Sequence, residues 1–296
     1  MQMLWMVVGA FFFATMGVCI KYAAEHFNTA EIVLYRGLIG MVLMWALAAA
    51  QGVSLRTRLA RMHAGRSTVG ACAMGCSFYA ITHIPLASAT TLNTMSSLWM
   101  AVILMGAALW TWRPSSRVPR QPLNLPLVGA VAVGFAGVVL MLQPSFADDQ
   151  MVPALVGLLS GLLSALAYIQ VVALSKAGEP ETRTVFYFNV ACAVSGALAM
   201  WLWMGVSQWP SWSQAAWLLP MGLFAAAGQL CMTRAYTHAR NSRGTLVVAN
   251  LQYFGIVFAS LYSLFLFGDA LGWQGWVGMA LVAASGMAAT VLRAKQ

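Results

Sequence analysis

The chain of 296 residues is 61% hydrophobic and only 8% charged, and its mean hydropathy is +0.77. Soluble domains carry about 25% charged residues, so the composition excludes an ordinary soluble globular protein. The formal net charge of +9 could suggest a nucleic-acid partner, but the basic residues are scattered in short links and form no basic stripe. We therefore expect a protein that lies in the lipid bilayer and has no nucleic-acid partner.

Apolar stretches of about twenty residues follow one another along the chain, and short polar links separate them. A bilayer core about 30 Å thick needs ~20 helical residues to cross it. Each backbone amide must be satisfied within its own span, and the stretches are too long and too uniformly apolar for barrel strands. The sequence therefore predicts an all-α membrane protein with ten transmembrane helices. The predicted spans are residues 3–24, 29–51, 66–82, 86–110, 125–142, 153–175, 184–206, 214–237, 244–267 and 273–292.

Positive charge alternates from one link to the next. If the N-terminus is placed in the cytoplasm, all of the 16 Lys and Arg residues except Lys21 and Arg36 fall in cytoplasmic links or at the C-terminus. Cytoplasmic links retain positive charge during insertion, which predicts that both termini are cytoplasmic. The first span has no basic residue ahead of it and carries Lys21 near its end. We therefore expect a retained helix in the cell membrane (inner or plasma membrane) rather than a cleaved signal peptide.

The two halves of the chain show an internal repeat. A shift of 155 residues places His83 on His238, and a shift of 149 residues places Gly137 on Gly286. Because each half holds an odd number of spans, the second half must enter the membrane in the opposite orientation. Inverted repeats are typical of secondary transporters, which hold substrate near the membrane midplane between the halves. We predict two five-helix repeats, over residues 1–145 and 150–296.

Several local motifs carry a family resemblance. Lys21 lies near the end of the first span, and Tyr35 and Arg36 lie in the second. The run from Tyr79 to Ala89 crosses the turn between the third and fourth spans. Together with the repeat, these motifs resemble the drug/metabolite transporter superfamily, in its ten-helix form built from two EamA-type repeats. Residues 240–242 depart from the pattern, because the second half lacks the Pro-Leu turn of the first.

The resemblance implies a secondary transporter that moves a small organic metabolite across the membrane by alternating access. The implied substrate is an amino acid, a related metabolite or a drug, and efflux is the favoured direction. A metabolite importer or exchanger of the same fold is the alternative. A membrane sensor or scaffold that transports nothing is a further one.

Polar side chains within the spans are predicted to line the transport cavity, because polar groups that face lipid are costly. Thr90, Asn93 and Ser97 share one helix face at i, i+3 and i+7 spacing. The alternative is that such side chains only join neighbouring helices, each bond contributing about 0.6 kcal/mol. The candidate substrate-binding residues are Tyr79, Thr90, Asn93, Ser97, Trp99, Tyr168, Gln170, Asn189, Gln229, Asn250, Gln252 and Tyr253.

A second candidate set could supply charge or gating: Lys21, Arg36, His83 and His238. Lys21 is expected to extend to the lipid headgroups beside Glu25. Arg36 begins ~9 Å below the end of its helix, so we expect it to close the external gate or to meet a substrate carboxylate. The two histidines either titrate near neutral pH or bond local carbonyls at helix ends.

The sequence contains no constellation that indicates catalysis or cofactor binding. It has no clustered His, Asp and Glu, no phosphate loop of the G-x-x-x-x-G-K type and no Cys/His spacing typical of a metal site. We therefore expect no enzyme activity, no cofactor and no metal. No Asp or Glu lies in the middle of any predicted span, which leaves no carboxylate relay for proton coupling and no counter-charge for a polycation. A neutral, zwitterionic or anionic small molecule is the expected substrate.

Overall fold

The computed structural model describes residues 2–111, 125–142, 150–205, 215–238, 248, 251–269 and 272–294. Over these residues the chain is helical and has no strand, so the all-α prediction is confirmed. The helices are α1 (Gln2–Ala23), α2 (Thr29–Ala50), α3 (Ala60–His83), α4 (Leu86–Thr94), α5 (Ser96–Thr111), α6 (Leu125–Leu142), α7 (Met151–Lys176), α8 (Glu181–Ala199), α9 (Leu218–Thr237), α10 (Phe254–Leu266) and α11 (Trp273–Ala294). A π-helical turn, Met200–Met204, continues α8.

Large apolar side chains cover the outside of the bundle as well as its core. Trp45 is 59% exposed, Trp201 81% and Phe265 77%. Such a surface is unfavourable in water and suits contact with lipid. Among the described helices, four are long and apolar enough to cross a membrane by length and composition: Met3–Ala23, Thr29–Ala50, Met151–Lys176 and Glu181–Leu202. The count of ten spans stays a prediction.

The predicted fourth span is divided into two helices. α4 ends at Thr94 and α5 begins at Ser96, so the prediction of one continuous helix over residues 86–110 is wrong. The hydroxyls of Thr91 and Thr94 donate to carbonyls four residues earlier, at 2.7 and 2.6 Å. Side chains that compete for backbone carbonyls in this way weaken and bend a helix. Two such bonds directly precede the break at Met95.

The third helix begins earlier than predicted. α3 starts at Ala60, so Arg66 lies well inside the helix, although it was the first residue of the predicted span 66–82 and was counted among the basic residues of the polar link before it. That assignment is wrong, because Arg66 is only 2% exposed and packs inside the bundle. Its guanidinium carbon lies 4.1 Å from the ring centre of Phe188 on α8. In a polar link the guanidinium would be hydrated, whereas here it contacts the face of the Phe188 ring.

The most extensive helix contacts join α1 to α9, α2 to α8, α3 to α7 and α6 to α11, while α4 packs on α7 and α10. Glycines permit these helices to approach closely. A Cβ atom on Gly196 of α8 would lie 2.6 Å from the backbone nitrogen of Leu34 on α2, and one on Gly137 of α6 would lie 2.9 Å from the carbonyl of Gly278 on α11. The backbones at these crossings therefore leave no room for a side chain.

Contacts between the connecting segments define two ends of the bundle. At one end, which we call the Glu179 end, the hydroxyl of Thr57 after α2 donates to Glu179 between α7 and α8, at 2.8 Å. At the other end, which we call the Lys21 end, Lys21 of α1 pairs with Asp269 after α10, at 3.3 Å. The cavity described below lies between helices that run from one end to the other.

The close contact between α7 and the α4–α5 break can be tested at Gly161. A Cβ atom there would lie 2.5 Å from the carbonyl oxygen of Leu92. We expect Gly161→Ala to lower the free energy of unfolding by about 1–3 kcal/mol, as other overpacked interiors do. The measurement is the midpoint of thermal unfolding in detergent micelles.

Gly75→Ala on α3 is the matched control, because a Cβ atom there meets nothing within 4 Å. Alanine is the better helix former, so this variant should unfold at or above the wild-type midpoint. Equal midpoints for the two variants would contradict the proposed crowding at Gly161.

Candidate substrate cavity

A cavity of about 130 Å³ lies between α1, α3, α4, α7, α8, α9 and α10. Most of its wall is apolar, and Met6, Phe13 and Ile81 are examples. The polar residues on the wall are Arg66, Ser77, Thr90, Asn93, Thr94, Ser164, Tyr168, Gln229 and Gln252. Helices from the first and second halves of the chain therefore both contribute hydrogen-bonding groups to one space.

The predicted substrate-binding residues divide into two groups in the structure. Thr90, Asn93, Tyr168, Gln229 and Gln252 line the cavity. Asn250 lies outside the described residues. The others are placed in contacts away from the described cavity wall: Tyr79, Ser97, Trp99, Gln170, Asn189 and Tyr253.

The amides that line the cavity are also tied to neighbouring helices. Asn93 of α4 donates from Nδ2 to the hydroxyls of Ser160 and Ser164 on α7, at 3.1 and 3.2 Å. Gln252 donates from Nε2 to the hydroxyl of Tyr236 on α9, at 3.0 Å. These bonds fix the position of each amide, so both alternatives from the sequence, cavity lining and helix contact, hold for the same side chains.

Several residues outside the cavity serve helix packing instead. Ser97 of α5 bonds the hydroxyl of Tyr253. The ring of Trp99 lies edge-on to Phe135 of α6, with 4.9 Å between ring centres. Oε1 of Gln170 on α7 lies beside α3, where a Cβ atom on Gly65 would be 3.6 Å from it. Ser97 shares a predicted face with Thr90 and Asn93, but the break at Met95 separates it from them.

Lys21 and the two histidines lie away from the cavity wall. Lys21 pairs with Asp269 and lies 4.6 Å from the ring centre of Phe267, so its partner is not the expected Glu25. Nδ1 of His83 lies 2.8 Å from the carbonyl of Tyr79, and Nδ1 of His238 lies at the same distance from the carbonyl of Arg234. Both histidines are exposed. Their contacts match the alternative to gating, in which each ring bonds a nearby backbone carbonyl at the end of its helix.

Arg36 is completely buried between α2 and α8. Its Nη1 lies 3.5 Å from Asn189 Oδ1 and 3.4 Å from Cys192 Sγ. Nε and Nη2 have no hydrogen-bond partner among the described residues. The guanidinium carbon lies 5.0 Å from the ring centre of Phe188, the ring that Arg66 also contacts. An external gate formed by Arg36 stays a prediction, and its position inside the bundle gives that role no added support.

Arg66 is the functional candidate that the sequence analysis missed. It lies on the cavity wall, and its Nε and Nη1 have no hydrogen-bond partner in the described part of the chain. Gly70 and Ser77 also line the cavity, at i+4 and i+11 from Arg66, so the three share one face of α3. The predicted third span begins at Arg66, so its spacing to Gly70 and Ser77 could have placed Arg66 on that face from the sequence.

A cluster of charged residues closes the Glu179 end. Glu179 lies 2.8 Å from Nη1 of Arg183 and 3.2 Å from Nε2 of His63, and it also accepts a bond from Thr57. Burial alone would raise the pKa of this carboxyl, but the bonds from Thr57 and Arg183 and the contact with His63 outweigh burial and hold the pKa of Glu179 below its usual value. The cluster joins the segment after α2 to the α7–α8 turn.

The fold and the cavity define a polytopic helical membrane protein with a polar space between helices of the two halves of the chain, which is an architecture of membrane transport proteins. The family model for EamA-like transporters matches residues 1–143. Over 252 residues the chain is 32% identical to the pseudopaline exporter CntI of Pseudomonas aeruginosa, covering 85% of this chain and 82% of that protein. The chain belongs to the EamA-like transporter family and is a multi-pass membrane transporter.

Two further comparisons extend over almost the whole chain. An uncharacterized transporter of Helicobacter pylori is 25% identical over 283 residues, covering 93% of this chain and 89% of that protein. A crystal structure of a protein that is 18% identical superposes with a TM-score of 0.68 and covers 99% of this chain and 98% of that chain. At that level of identity the likeness concerns the fold alone.

The lowered pKa of Glu179 predicts how stability depends on pH. A carboxyl whose pKa is lower in the folded protein than its ordinary value of about 4.3 stabilises the fold above that pH, and the stabilisation is lost as the pH falls through the folded pKa. We expect the wild-type thermal midpoint to fall more steeply than that of Glu179→Gln between about pH 5 and pH 3.

Glu25→Gln is the matched control, because this carboxylate is exposed. Its midpoint should follow the wild-type curve in the same range. Parallel curves for wild type and Glu179→Gln would contradict a stabilising role for the ionised carboxylate.

Proposed function

We propose that this transporter exports a small organic metabolite across the cell membrane by alternating access, with the described cavity as its substrate site. The observation that carries the proposal is the cavity itself, because the polar groups on its wall come from helices of both halves. A space between two halves that rock against each other can be opened to either side of the membrane in turn.

The pattern of helix contacts supports two inverted repeats over residues 1–145 and 150–296. When the halves are exchanged, the pair α1–α9 becomes α7–α3, which is also one of the most extensive contacts. The pairs α2–α8 and α6–α11 are each converted into themselves. A pseudo-two-fold axis between the halves would produce these equivalences.

Contacts at the two ends support the proposed topology. The link after α2 and the turn after α7, both predicted to be cytoplasmic, meet through Thr57 and Glu179. Lys21 and Asp269, both predicted to lie toward the external side, meet at the opposite end. We therefore propose cytoplasmic termini in a cell-membrane protein, with the Glu179 end toward the cytoplasm.

The size of the cavity and the comparisons bear on substrate and direction. A volume of about 130 Å³ is below the roughly 300–1,000 Å³ typical of sites for drug-sized ligands, so an amino acid or related metabolite suits it better than a drug. The relative in Pseudomonas aeruginosa is named an exporter, which supports efflux. Import or exchange by the same fold is the alternative that a flux measurement distinguishes.

Counterflow of labelled metabolites into liposomes that hold the purified protein tests the proposal. We expect saturable uptake that is accelerated by unlabelled substrate on the opposite side. Gln229→Ala should weaken the apparent affinity about 2–10-fold, because the amide lines the cavity and each hydrogen bond contributes about 0.5–1.5 kcal/mol.

Gln170→Ala provides the matched control, since it removes the same side chain from a half-buried position that is not on the cavity wall. Its apparent affinity should equal that of the wild type. Equal losses in the two variants, or the absence of counterflow with a broad metabolite panel and folded protein, would contradict the proposed role of the cavity.

A further inference from the structure

Resting on the transport function proposed above, we propose that Arg66 forms an anion site in the cavity and that the transported metabolite carries a free carboxylate. The inference begins from the charge of the cavity wall. Among the described residues on that wall, Arg66 carries the only formal charge and no residue is acidic. A carboxylate on the substrate would supply the missing counter-charge.

The acidic residues in the described part of the chain are engaged elsewhere or exposed. Glu179 contacts Arg183, Glu181 contacts Arg234, and Asp269 contacts Lys21, all at the ends of the bundle. Glu31 caps the start of α2, and Glu25 is exposed. The described residues therefore contain no ion-pair partner for Arg66.

The available hydrogen-bonding groups of Arg66 match an acceptor. A guanidinium has five N–H donors and no acceptor, and its fork suits the two oxygens of a carboxylate. The contact with Phe188 occupies the guanidinium at 4.1 Å from the ring centre, while Nε and Nη1 have no partner among the described residues. The ring holds the cation in place without using these donors.

Arg36 adds to the positive potential at this site without lying on the cavity wall. Its guanidinium carbon is 5.0 Å from the ring centre of Phe188, so the same ring contacts both cations. Two like charges in a medium of low dielectric repel a cationic substrate and attract an anionic one.

The rest of the wall suggests what the carboxylate is attached to. Nε2 of Gln229 also has no partner in the described structure, so a second donor is open on α9. Met6, Phe13 and Met74 give the remaining wall an apolar character. A short organic acid or a zwitterion with a small side chain has the acceptors, the charge and the size that this wall accommodates.

Paired probes that differ only in charge test the inference. We would measure the thermal midpoint of the purified protein in detergent with glutarate against glutaramide and N-acetylalanine against N-acetylalaninamide, at matched ionic strength. The set also includes glycerol 3-phosphate as the phosphate arm. We expect at least one carboxylate, and not its amide partner, to raise the midpoint of the wild type.

Three variants locate the effect. Arg66→Gln should weaken the apparent affinity for the carboxylate about tenfold or more. Arg66→Lys keeps the charge but loses the fork, so an intermediate affinity is expected. Arg61→Gln, an exposed charge removal on the same helix, should leave the affinity unchanged. If Arg66→Gln does not fold, the Arg66→Lys result and the wild-type pairs decide.

The outcomes separate this inference from the transport proposal. Counterflow of a compound without a carboxylate, unaffected in Arg66→Gln, would support transport and overturn the anion site. Binding of a carboxylate that depends on Arg66, without flux of any compound, would support the site and count against transport. No carboxylate that stabilises more than its amide, or stabilisation by glycerol 3-phosphate alone, would overturn the carboxylate assignment.

Discussion

The bundle depends on one constraint: a polar group within a hydrocarbon layer must find its partner inside the protein. Backbone amides meet this constraint by forming helices, and the inward polar side chains meet it across helix contacts. Asn93 bonds two serines of α7, and Gln252 bonds Tyr236 of α9. The same bonds that satisfy these amides also fix the wall of the cavity, so the proposed substrate site depends on the constraint that shapes the bundle.

Close backbone contact is what allows such short side chains to reach across. Gly161 places α7 against the carbonyl of Leu92, at the break between α4 and α5. Asn93 follows Leu92 directly, and its serine partners lie on α7 one residue before and three residues after Gly161. A larger residue at that crossing would separate the helices and lengthen these bonds. The glycines of α7 therefore serve the site as well as the packing.

Periodicity in the sequence predicted the all-α class of the fold, but only part of the described cavity wall. Apolar length is a strong signal, which is why the all-α bundle was foreseen from residues alone. Hydroxyl side chains that compete for backbone carbonyls leave only a weak signal in the sequence, so the break at Met95 was not predicted.

Whether a polar residue faces the cavity or a neighbouring helix depends on helix rotations of a few tens of degrees. Such a rotation separates Asn93, which lines the cavity, from Ser97, which does not. Arg66 was assigned to a link because basic residues there are usually solvated, and the ring of Phe188 that shelters it is more than a hundred residues away in the chain.

The two buried arginines offer a physical reason why no Asp or Glu lies in the middle of the predicted spans. A guanidinium buried without a counter-charge is unfavourable, and a permanent carboxylate beside Arg66 would remove that cost and also neutralise the site. No Asp or Glu lies in the middle of any predicted span, so the sequence leaves the described cavity positively charged. In the proposed site, the substrate supplies the carboxylate and takes it away on release. Nε and Nη1 of Arg66, which have no hydrogen-bond partner among the described residues, would then select an anionic substrate over a cationic one.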